Sequence, residues 1–205
     1  MTSHYFSPAA SGPERRQTIT ATIWGQQLQL VTANGVFAGE ALDRGTAVLL
    51  RSSPIPTGRP RILDLGCGYG PIALAVALAC PGALVDAIDV NERALQLCRD
   101  NARALGVADR VHVLRPDEAD PKTRYDEIWS NPPIRIGKEP LHELLLHWLD
   151  RLADDGVARL VVAKNLGSDT LQRWLGEQGY SVERAAIAKG FRVLVVSKEQ
   201  SRRWR

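Results

Sequence analysis

The residues of this chain that are best suited to chemistry form a short turn, Asn131-Pro132-Pro133-Ile134, directly after the apolar segment Tyr125–Ser130. Because two prolines cannot continue the hydrogen-bond ladder of a sheet, the sequence predicts a strand that ends in a rigid turn. In that turn the side-chain oxygen of Asn131 and the carbonyl oxygen of Pro132 can accept both N–H groups of a planar amine. These two bonds orient the nitrogen lone pair and favour the tetrahedral nitrogen that forms during attack on an electrophile. The alternative interpretation is a purely structural Asn-Pro turn.

A glycine-rich turn, Asp64-Leu-Gly-Cys-Gly-Tyr-Gly70, predicts a cofactor site. Gly66 and Gly68 allow a sharp bend and a close approach to a ligand, and the helix Pro71–Ala79 follows as in a nucleotide-binding crossover. Such a loop can also bind a pyrophosphate, but the Asp64 carboxylate would repel one. S-adenosylmethionine has no phosphate and carries an ammonium and a sulfonium, so Asp64 favours this cofactor. A buried aspartate that caps the next helix is the alternative.

Acidic residues follow the next two predicted strands. Asp89 ends the apolar strand Ala83–Asp89 and can accept both ribose hydroxyls of an adenosine, with Val90 and Asn91 on the same rim. Asn91 can equally cap the helix that starts after it. Asp117 lies where an adenine amino group needs an acceptor, although its segment can also be read as a surface turn.

The elements that must hold these turns alternate between strands and helices. The predicted strands are Arg61–Leu65, Ala83–Asp89, Arg110–Leu114, Tyr125–Ser130 and Val157–Val162, and the helices between and after them are Pro71–Ala79, Glu92–Leu105, Lys138–Leu152 and Ser168–Gln178. A closing antiparallel pair is predicted at Tyr180–Ile187 and Phe191–Val196. This order predicts an α/β fold with a mostly parallel, doubly wound sheet, one reversed strand and helices on both faces.

The segment before the first core strand contains a predicted β-hairpin, Thr18–Trp24 with Gln27–Thr32, and a helix over Ala41–Arg51. We therefore expect residues 1–40 to form an N-terminal β-hairpin extension that packs on the core. Residues 41–205 are expected to form the catalytic domain.

Composition is typical of one enzyme domain that is not embedded in a membrane. The 205 residues are 24% charged and 44% hydrophobic, and the formal charge of +3 mildly favours an anionic partner. Cys67, Cys80 and Cys98 lack a Cys-x-x-Cys pair, which indicates reduced thiols rather than disulfides or a zinc site. We expect a cytoplasmic monomer without a metal ion, a signal peptide or a membrane span.

These motifs resemble the small-domain family of class I methyltransferases, in particular the single-domain branch related to bacterial 16S ribosomal RNA guanine-N2 methyltransferases. The matching stretches are His4-Tyr-Phe-Ser7, Gly35-Val-Phe37, Ile62–Pro71, Asp89-Val-Asn91, Asp126, Asn131–Lys138 and Lys164. The resemblance covers nearly the whole chain, and Asn-Pro-Pro-Ile-x-x-Gly-Lys is its most selective part.

The resemblance implies a Rossmann-like, seven-stranded fold, S-adenosylmethionine as methyl donor, and guanine N2 in the small ribosomal subunit as the target. It implies that Asp64 and the glycines hold the methionine part, Asp89 the ribose and Asp117 the adenine. The expected cofactor residues are Asp64, Gly66, Cys67, Gly68, Tyr69, Asp89, Val90, Asn91, Asp117 and Asn131. The expected catalytic residues are Asn131, Pro132, Pro133 and Ile134.

The chain departs from the family pattern at two positions, where Ala38 and Ile136 replace a common Ser and Ala. Ile134 stands where relatives that methylate adenine N6 or a protein glutamine carry Tyr or Phe. An isoleucine cannot stack on a flipped base as an aromatic ring does, which fits the guanine branch. Phe37 or Tyr69 would then have to contact the base.

Full-length relatives carry a second, degenerate domain that helps to bind RNA, so we expect RNA affinity here to come from basic and aromatic residues of this chain. The candidates are Phe37, Arg135, Lys138, Lys164 and the basic segment Arg202–Arg205. Lys138 can also be a solvated residue at a helix start, and the last segment an unstructured tail. Ribosomal RNA or the small ribosomal subunit is the expected partner.

Three functions follow from these observations. The first is a ribosomal RNA methyltransferase that makes N2-methylguanosine. The second keeps the chemistry but changes the acceptor to adenine N6, a protein glutamine or a small amine. The third is a non-catalytic RNA-binding or ribosome-assembly factor, against which the presence of Asp64, both glycines, Asp89 and Asn131 argues.

Overall fold

The computed structural model describes residues 13–36 and 41–199. Within these ranges the strands are β1 (Arg16–Ile23), β2 (Gln26–Ala33), β3 (Arg61–Leu65), β4 (Leu84–Ile88), β5 (Val111–Leu114), β6 (Tyr125–Ser130), β7 (Leu152–Ala163), β8 (Tyr180–Ala188) and β9 (Phe191–Lys198). The α-helices are α1 (Arg44–Ser52), α2 (Pro71–Ala79), α3 (Glu92–Ala104), α4 (Lys138–Leu149) and α5 (Ser168–Glu177).

Strands β3 to β9 form a seven-stranded sheet in the order β5-β4-β3-β6-β7-β9-β8. Strand β9 runs antiparallel to both of its neighbours, while β5, β4, β3, β6 and β7 are parallel. The predicted fold, a mostly parallel sheet with one reversed strand and helices on both faces, is confirmed. The chain winds outward in both directions from β3 and β6, and ligands bind at such a reversal in doubly wound folds.

The sheet is covered on both faces, which explains why its central strands are almost continuously apolar. Successive residues of β3 belong to different hydrophobic clusters, because side chains alternate between the faces of a strand. Ile62 packs with residues of α1, α2 and α3, whereas Leu63 packs with residues of α4 and α5. This double cover holds the strand ends, and the loops that follow them, in fixed positions.

The N-terminal hairpin of β1 and β2 turns at Trp24 and Gly25, with φ of 49° and 76°. Positive φ at both positions is the geometry of a two-residue type I′ turn, so the predicted turn at Gly25-Gln26 lies one residue too late. The buried Asn101 joins the hairpin to α3. Its side-chain oxygen accepts from the Val31 N–H and its side-chain nitrogen donates to the Val31 carbonyl, at 2.8 Å each. The proposed division at residue 40 remains an expectation.

The predicted helix Lys138–Leu152 is too long by three residues, because α4 ends at Leu149. Leu152 instead begins β7 opposite Tyr125, and the strand therefore starts before the predicted Val157. Leu152 is fully buried, so its apolar character fitted either element. No helix in the described ranges is long and apolar enough to cross a membrane.

Candidate active site

The predicted cofactor and acceptor turns leave adjacent strands at the same level. Three strand-end residues pair in register, namely Leu65 of β3, Ile88 of β4 and Ser130 of β6. The next residue on each strand is a predicted site residue: Gly66, Asp89 or Asn131. The buried Ser130 hydroxyl also donates to the Leu65 carbonyl at 2.7 Å, which ties the two turns together. The structure thus brings the predicted sites to one edge of the sheet.

The glycine turn forms an open cradle beyond β3. Gly66 and Gly68 have φ of 75° and 56°, and a Cβ added at either position would meet no atom within 4 Å. The backbone is therefore open to a ligand at both positions. The side chains of Cys67 and Tyr69, by contrast, are buried in the core. Only their backbone atoms are available for the cofactor contact that was predicted for them.

Asp64 caps helix α2 and keeps one buried oxygen without a partner. Its Oδ2 accepts from the Ala73 N–H at 2.9 Å, while Oδ1 has no hydrogen bond within the described structure. The pKa of this carboxyl is raised to about 7, mainly by burial; the Ala73 N–H acts to lower it and the nearby Asp89 charge adds to the increase. The capping interpretation and the ligand interpretation are therefore compatible. A cationic group placed at Oδ1 would satisfy the orphaned oxygen and favour the ionised carboxylate.

Asp89 joins the glycine turn to the start of α3. Its two oxygens accept from the backbone N–H groups of Gly68 and Asn91, each at 2.9 Å. Burial raises the pKa of the Asp89 carboxyl, and these backbone donors oppose that shift. A carboxylate has about four lone-pair sites. Acceptor capacity therefore remains for a ribose hydroxyl donor.

Two of the remaining cofactor candidates follow Asp89 directly in the chain, and the third lies after β5. The Asn91 side-chain oxygen caps α3 by accepting from the Arg93 and Ala94 N–H groups, and its Nδ2 donates to the Gly35 carbonyl at 3.0 Å. Val90 is half-buried beside it. Asp117 is exposed on a 3₁₀ turn after β5 and pairs with Arg115 at 3.4 Å. A surface turn is therefore observed there, and a role for Asp117 at adenine stays a prediction.

The Asn-Pro-Pro turn is an inverse γ-turn. Pro133 has φ −76° and ψ 73°, and the Ile134 N–H donates to the Pro132 carbonyl at 2.8 Å. The sequence indicated the Pro132 oxygen as an acceptor for the substrate amine. In the structure it already accepts from Ile134, and one lone pair remains for a second donor. The Ile134 side chain packs on the core cluster below α4 and α5. This packing fixes the exit of the turn.

The Asn131 amide is oriented by two residues that sequence reasoning missed. Its Nδ2 donates to the Asp43 carboxylate at 2.7 Å and to the Thr46 hydroxyl at 3.1 Å. Its Oδ1 has no hydrogen bond within the described structure. Asp43 precedes α1 and its Oδ2 also accepts from the Thr46 N–H, so the only signal in the sequence was that of a helix cap.

An aromatic residue, Phe191, lies beside the Asn131 amide and was not predicted. A Cβ built on Gly45 would lie 3.0 Å from the Phe191 ring and 3.3 Å from Asn131 Nδ2. The ring and the amide therefore border the same small space beside Gly45 of α1. Phe191 is half-buried. Of the two aromatics that were predicted to contact a base, Tyr69 is buried and Phe37 lies outside the described residues.

The basic candidates are placed on the surface near this edge. Arg135, Lys138 and Lys164 are all exposed, and none of them forms an ion pair in the described part of the chain. Lys164 directly follows β7, where its N–H donates to the Gly190 carbonyl at 2.8 Å. The matching stretch His4–Ser7 and the basic segment Arg202–Arg205 lie outside the described residues. No group of three or more metal-binding side chains is found in residues 13–36 and 41–199.

Comparison with known proteins adds three findings. The sequence profile of the methyltransferase small domain family matches residues 27–195. The uncharacterized protein YbxB of Bacillus subtilis is 30% identical over 201 residues, which are 97% of this chain and 100% of that protein. Ribosomal RNA small subunit methyltransferase C of Shewanella oneidensis is 32% identical over 175 residues, which are 78% of this chain but 50% of that enzyme.

A solved structure gives the same architecture. The 16S rRNA N2 methyltransferase RsmC of T. thermophilus, in complex with AdoMet and guanosine, matches 91% of this chain with a TM-score of 0.75 at 23% identity. The match covers 51% of that protein. This chain therefore spans about half the length of the methyltransferase C relatives and the full length of YbxB.

Proposed function

This chain belongs to the methyltransferase small domain family, and we propose that it transfers a methyl group from S-adenosylmethionine to the exocyclic N2 amine of a guanine in 16S ribosomal RNA. One observation carries the proposal. The Asn131 amide lies one residue beyond β6, in register with the glycine turn and Asp89, and its Oδ1 is available as an acceptor.

The residues at the cofactor end fit S-adenosylmethionine. The cofactor, when bound, would supply an electrophilic methyl group on its sulfonium sulfur, and that sulfur would leave as a neutral thioether when the S–CH3 bond breaks. Asp64 offers a buried, unpartnered oxygen to its ammonium, and Gly66 and Gly68 leave room for the methionine part. The carboxylate of Asp89 can accept from the ribose hydroxyls, with Asp117 proposed at the adenine. Because Leu65, Ile88 and Ser130 are in register, a cofactor held by these residues would lie at the edge of the sheet where the turn after β6 begins.

At the acceptor end, Asn131 and Pro132 present oxygens rather than a base. Asn131 Oδ1 and the remaining lone pair of the Pro132 carbonyl can each accept one N–H of a planar amine. The nitrogen lone pair is thereby directed away from the ring plane, toward the methyl group. As the amine nitrogen gains positive charge, its N–H groups become stronger donors. The hydrogen bonds to both oxygens therefore strengthen and stabilise the transition state. The extra proton can leave after the transfer, so no residue with a shifted pKa is required before it.

The choice of a guanine in RNA rests on the relatives and on five residues. The relatives of Shewanella and T. thermophilus are named as small-subunit ribosomal RNA methyltransferases. Ile134 is aliphatic, and Phe191 offers an alternative apolar wall beside Asn131. Exposed Lys164, with Arg135 and Lys138, supplies positive charge for phosphates at the same edge of the sheet.

Transfer of label from methyl-tritiated S-adenosylmethionine tests the proposal. The acceptors are small ribosomal subunits, and separately free 16S RNA, from a strain that lacks this protein, with nucleosides separated after the reaction. We expect label in N2-methylguanosine with the wild-type protein and a rate of labelling at least about a hundredfold lower with Asn131→Ala. Label in another nucleoside would keep the chemistry and refute the guanine assignment. Cofactor binding with no label in either acceptor would point to a protein glutamine or a small amine. The absence of both label and cofactor binding would favour a non-catalytic RNA-binding factor.

A further inference from the structure

Asn131 is held by a carboxylate that belongs to another element. The Oδ2 atom of Asp43 accepts from Asn131 Nδ2 at 2.7 Å and from the Thr46 N–H at 2.9 Å. The Thr46 hydroxyl, on a residue that is 4% exposed, is the second acceptor for the same amide nitrogen at 3.1 Å. Asp43 and Asn131 are 88 residues apart in the chain, so the contact exists only in the folded protein.

These contacts decide which end of the amide faces the acceptor. A flipped Asn131 would place its oxygen 2.7 Å from a carboxylate oxygen, which is repulsive, and would lose the bond to the anion. The flipped amide would also present N–H donors to the N–H donors of the substrate amine. The orientation with Nδ2 toward Asp43 avoids both conflicts and leaves Oδ1 as the acceptor.

Asp43 also lies near the cofactor turn. Burial raises the pKa of the Tyr69 hydroxyl, and the negative charge of Asp43 raises it further. The Tyr69 side chain is 2% exposed within the glycine turn. The carboxylate is therefore close to residues of both turns that form the active site.

We propose that Asp43 is a positioning residue that fixes the Asn131 side-chain oxygen toward the acceptor amine. Its effect on turnover rests on the proposed function, because it acts through Asn131. Asp43 also caps α1, so a loss of activity in Asp43→Ala could come from a weaker helix alone. Asp43→Ser separates the two roles, since serine caps a helix about as well but its shorter side chain does not reach Asn131. Asp43→Asn keeps an oxygen that can accept from Asn131 and serves as the conservative variant.

The kinetic test compares these variants at saturating and limiting RNA. We expect Asp43→Ser to lower kcat by about tenfold to a hundredfold, the scale of a misplaced catalytic group, with the affinity for S-adenosylmethionine unchanged. Asp43→Asn should retain more activity than Asp43→Ser. In the Asn131→Ala background, Asp43→Ser should cause no further loss, because its target is already absent. An unchanged kcat in Asp43→Ser, or an equal fractional loss in both backgrounds, would overturn the proposal.

A second measurement does not depend on the methyl acceptor. The side-chain amide signal of Asn131 can be assigned in a ¹⁵N–¹H spectrum by its absence in Asn131→Ala. In the wild-type protein its two protons should exchange slowly with solvent, and Asp43→Ser should accelerate that exchange at least tenfold. If the wild-type protein methylated no RNA, the proposed function would fail and this exchange rate alone would decide the role of Asp43. An exchange rate equal in both proteins would overturn the positioning role.

Discussion

The buried carboxyl of Asp64 predicts how cofactor binding depends on pH. Its pKa is raised to about 7 in the free protein, mainly by burial. If the cofactor ammonium binds at the unpartnered Oδ1, the complex requires the ionised carboxylate. Protons and cofactor then compete for the same oxygen, so lowering the pH weakens binding.

The size of the effect follows from the titration of one group. A carboxyl with a pKa of about 7 is about nine-tenths ionised at pH 8 and about one-tenth ionised at pH 6. The dissociation constant should therefore be about tenfold larger at pH 6 than at pH 8, which corresponds to about 1.4 kcal/mol. Binding at pH 6 should release about 0.9 proton, whereas binding at pH 8 should release about 0.1.

Isothermal titration calorimetry measures both quantities, with proton release obtained from buffers of different ionisation enthalpy. Asp64→Asn is the matched control, because its amide oxygen can still accept from Ala73 but does not titrate. The raised pKa of Asp89 acts in the same direction and the ligand has its own titration, but both titrations remain in Asp64→Asn. The reasoning is refuted if the wild-type protein and Asp64→Asn show the same change in affinity between pH 8 and pH 6.

Three further predictions concern the other residues of the site. Asn131→Ala should lower kcat by about a hundredfold or more, because the side chain contacts the acceptor. Its affinity for S-adenosylmethionine, measured by calorimetry, should be unchanged. An equal loss of cofactor affinity would contradict the assignment of Asn131 to the acceptor. Asp89→Ala should weaken cofactor binding by at least about tenfold, because it removes the ribose acceptor and the Gly68 N–H partner, and an unaltered dissociation constant would exclude Asp89 from the site. Phe191→Ala should raise KM for RNA without changing cofactor affinity if the ring contacts the base, whereas an unchanged KM in a steady-state assay would remove Phe191 from the acceptor pocket.

The sequence predicted the fold and the placement of the main turns because these depend on local patterns. Apolar strands such as Arg61–Leu65 and Tyr125–Ser130 end directly before the predicted site residues Gly66 and Asn131. In a parallel sheet the carboxyl ends of neighbouring strands lie at one edge, which brings the residues that follow them to that edge. The register of Leu65 with Ile88 and Ser130 then sets their level.

Other features could not be predicted because they depend on contacts between distant segments. The contact between Asp43 and Asn131 joins two elements across 88 residues, and in the sequence Asp43 lies within the predicted helix Ala41–Arg51 with no motif that links it to Asn131. The same holds for Phe191, which reaches Gly45 from the last strand. The hydrogen bond that the Pro132 carbonyl accepts within the turn was also not predicted. Two prolines indicate a rigid turn, but they do not indicate which hydrogen bond closes it.

The most direct test of the central claim is the nucleoside composition of 16S ribosomal RNA in the cell. Liquid chromatography with mass spectrometry would quantify N2-methylguanosine in small subunits from the parent strain, a strain without this protein, and strains complemented with wild-type protein or Asn131→Ala. We predict that one N2-methylguanosine per 16S RNA is lost without the protein, returns with the wild-type protein, and does not return with Asn131→Ala. An unchanged N2-methylguanosine content in the deletion strain, or full restoration by Asn131→Ala, would contradict the account.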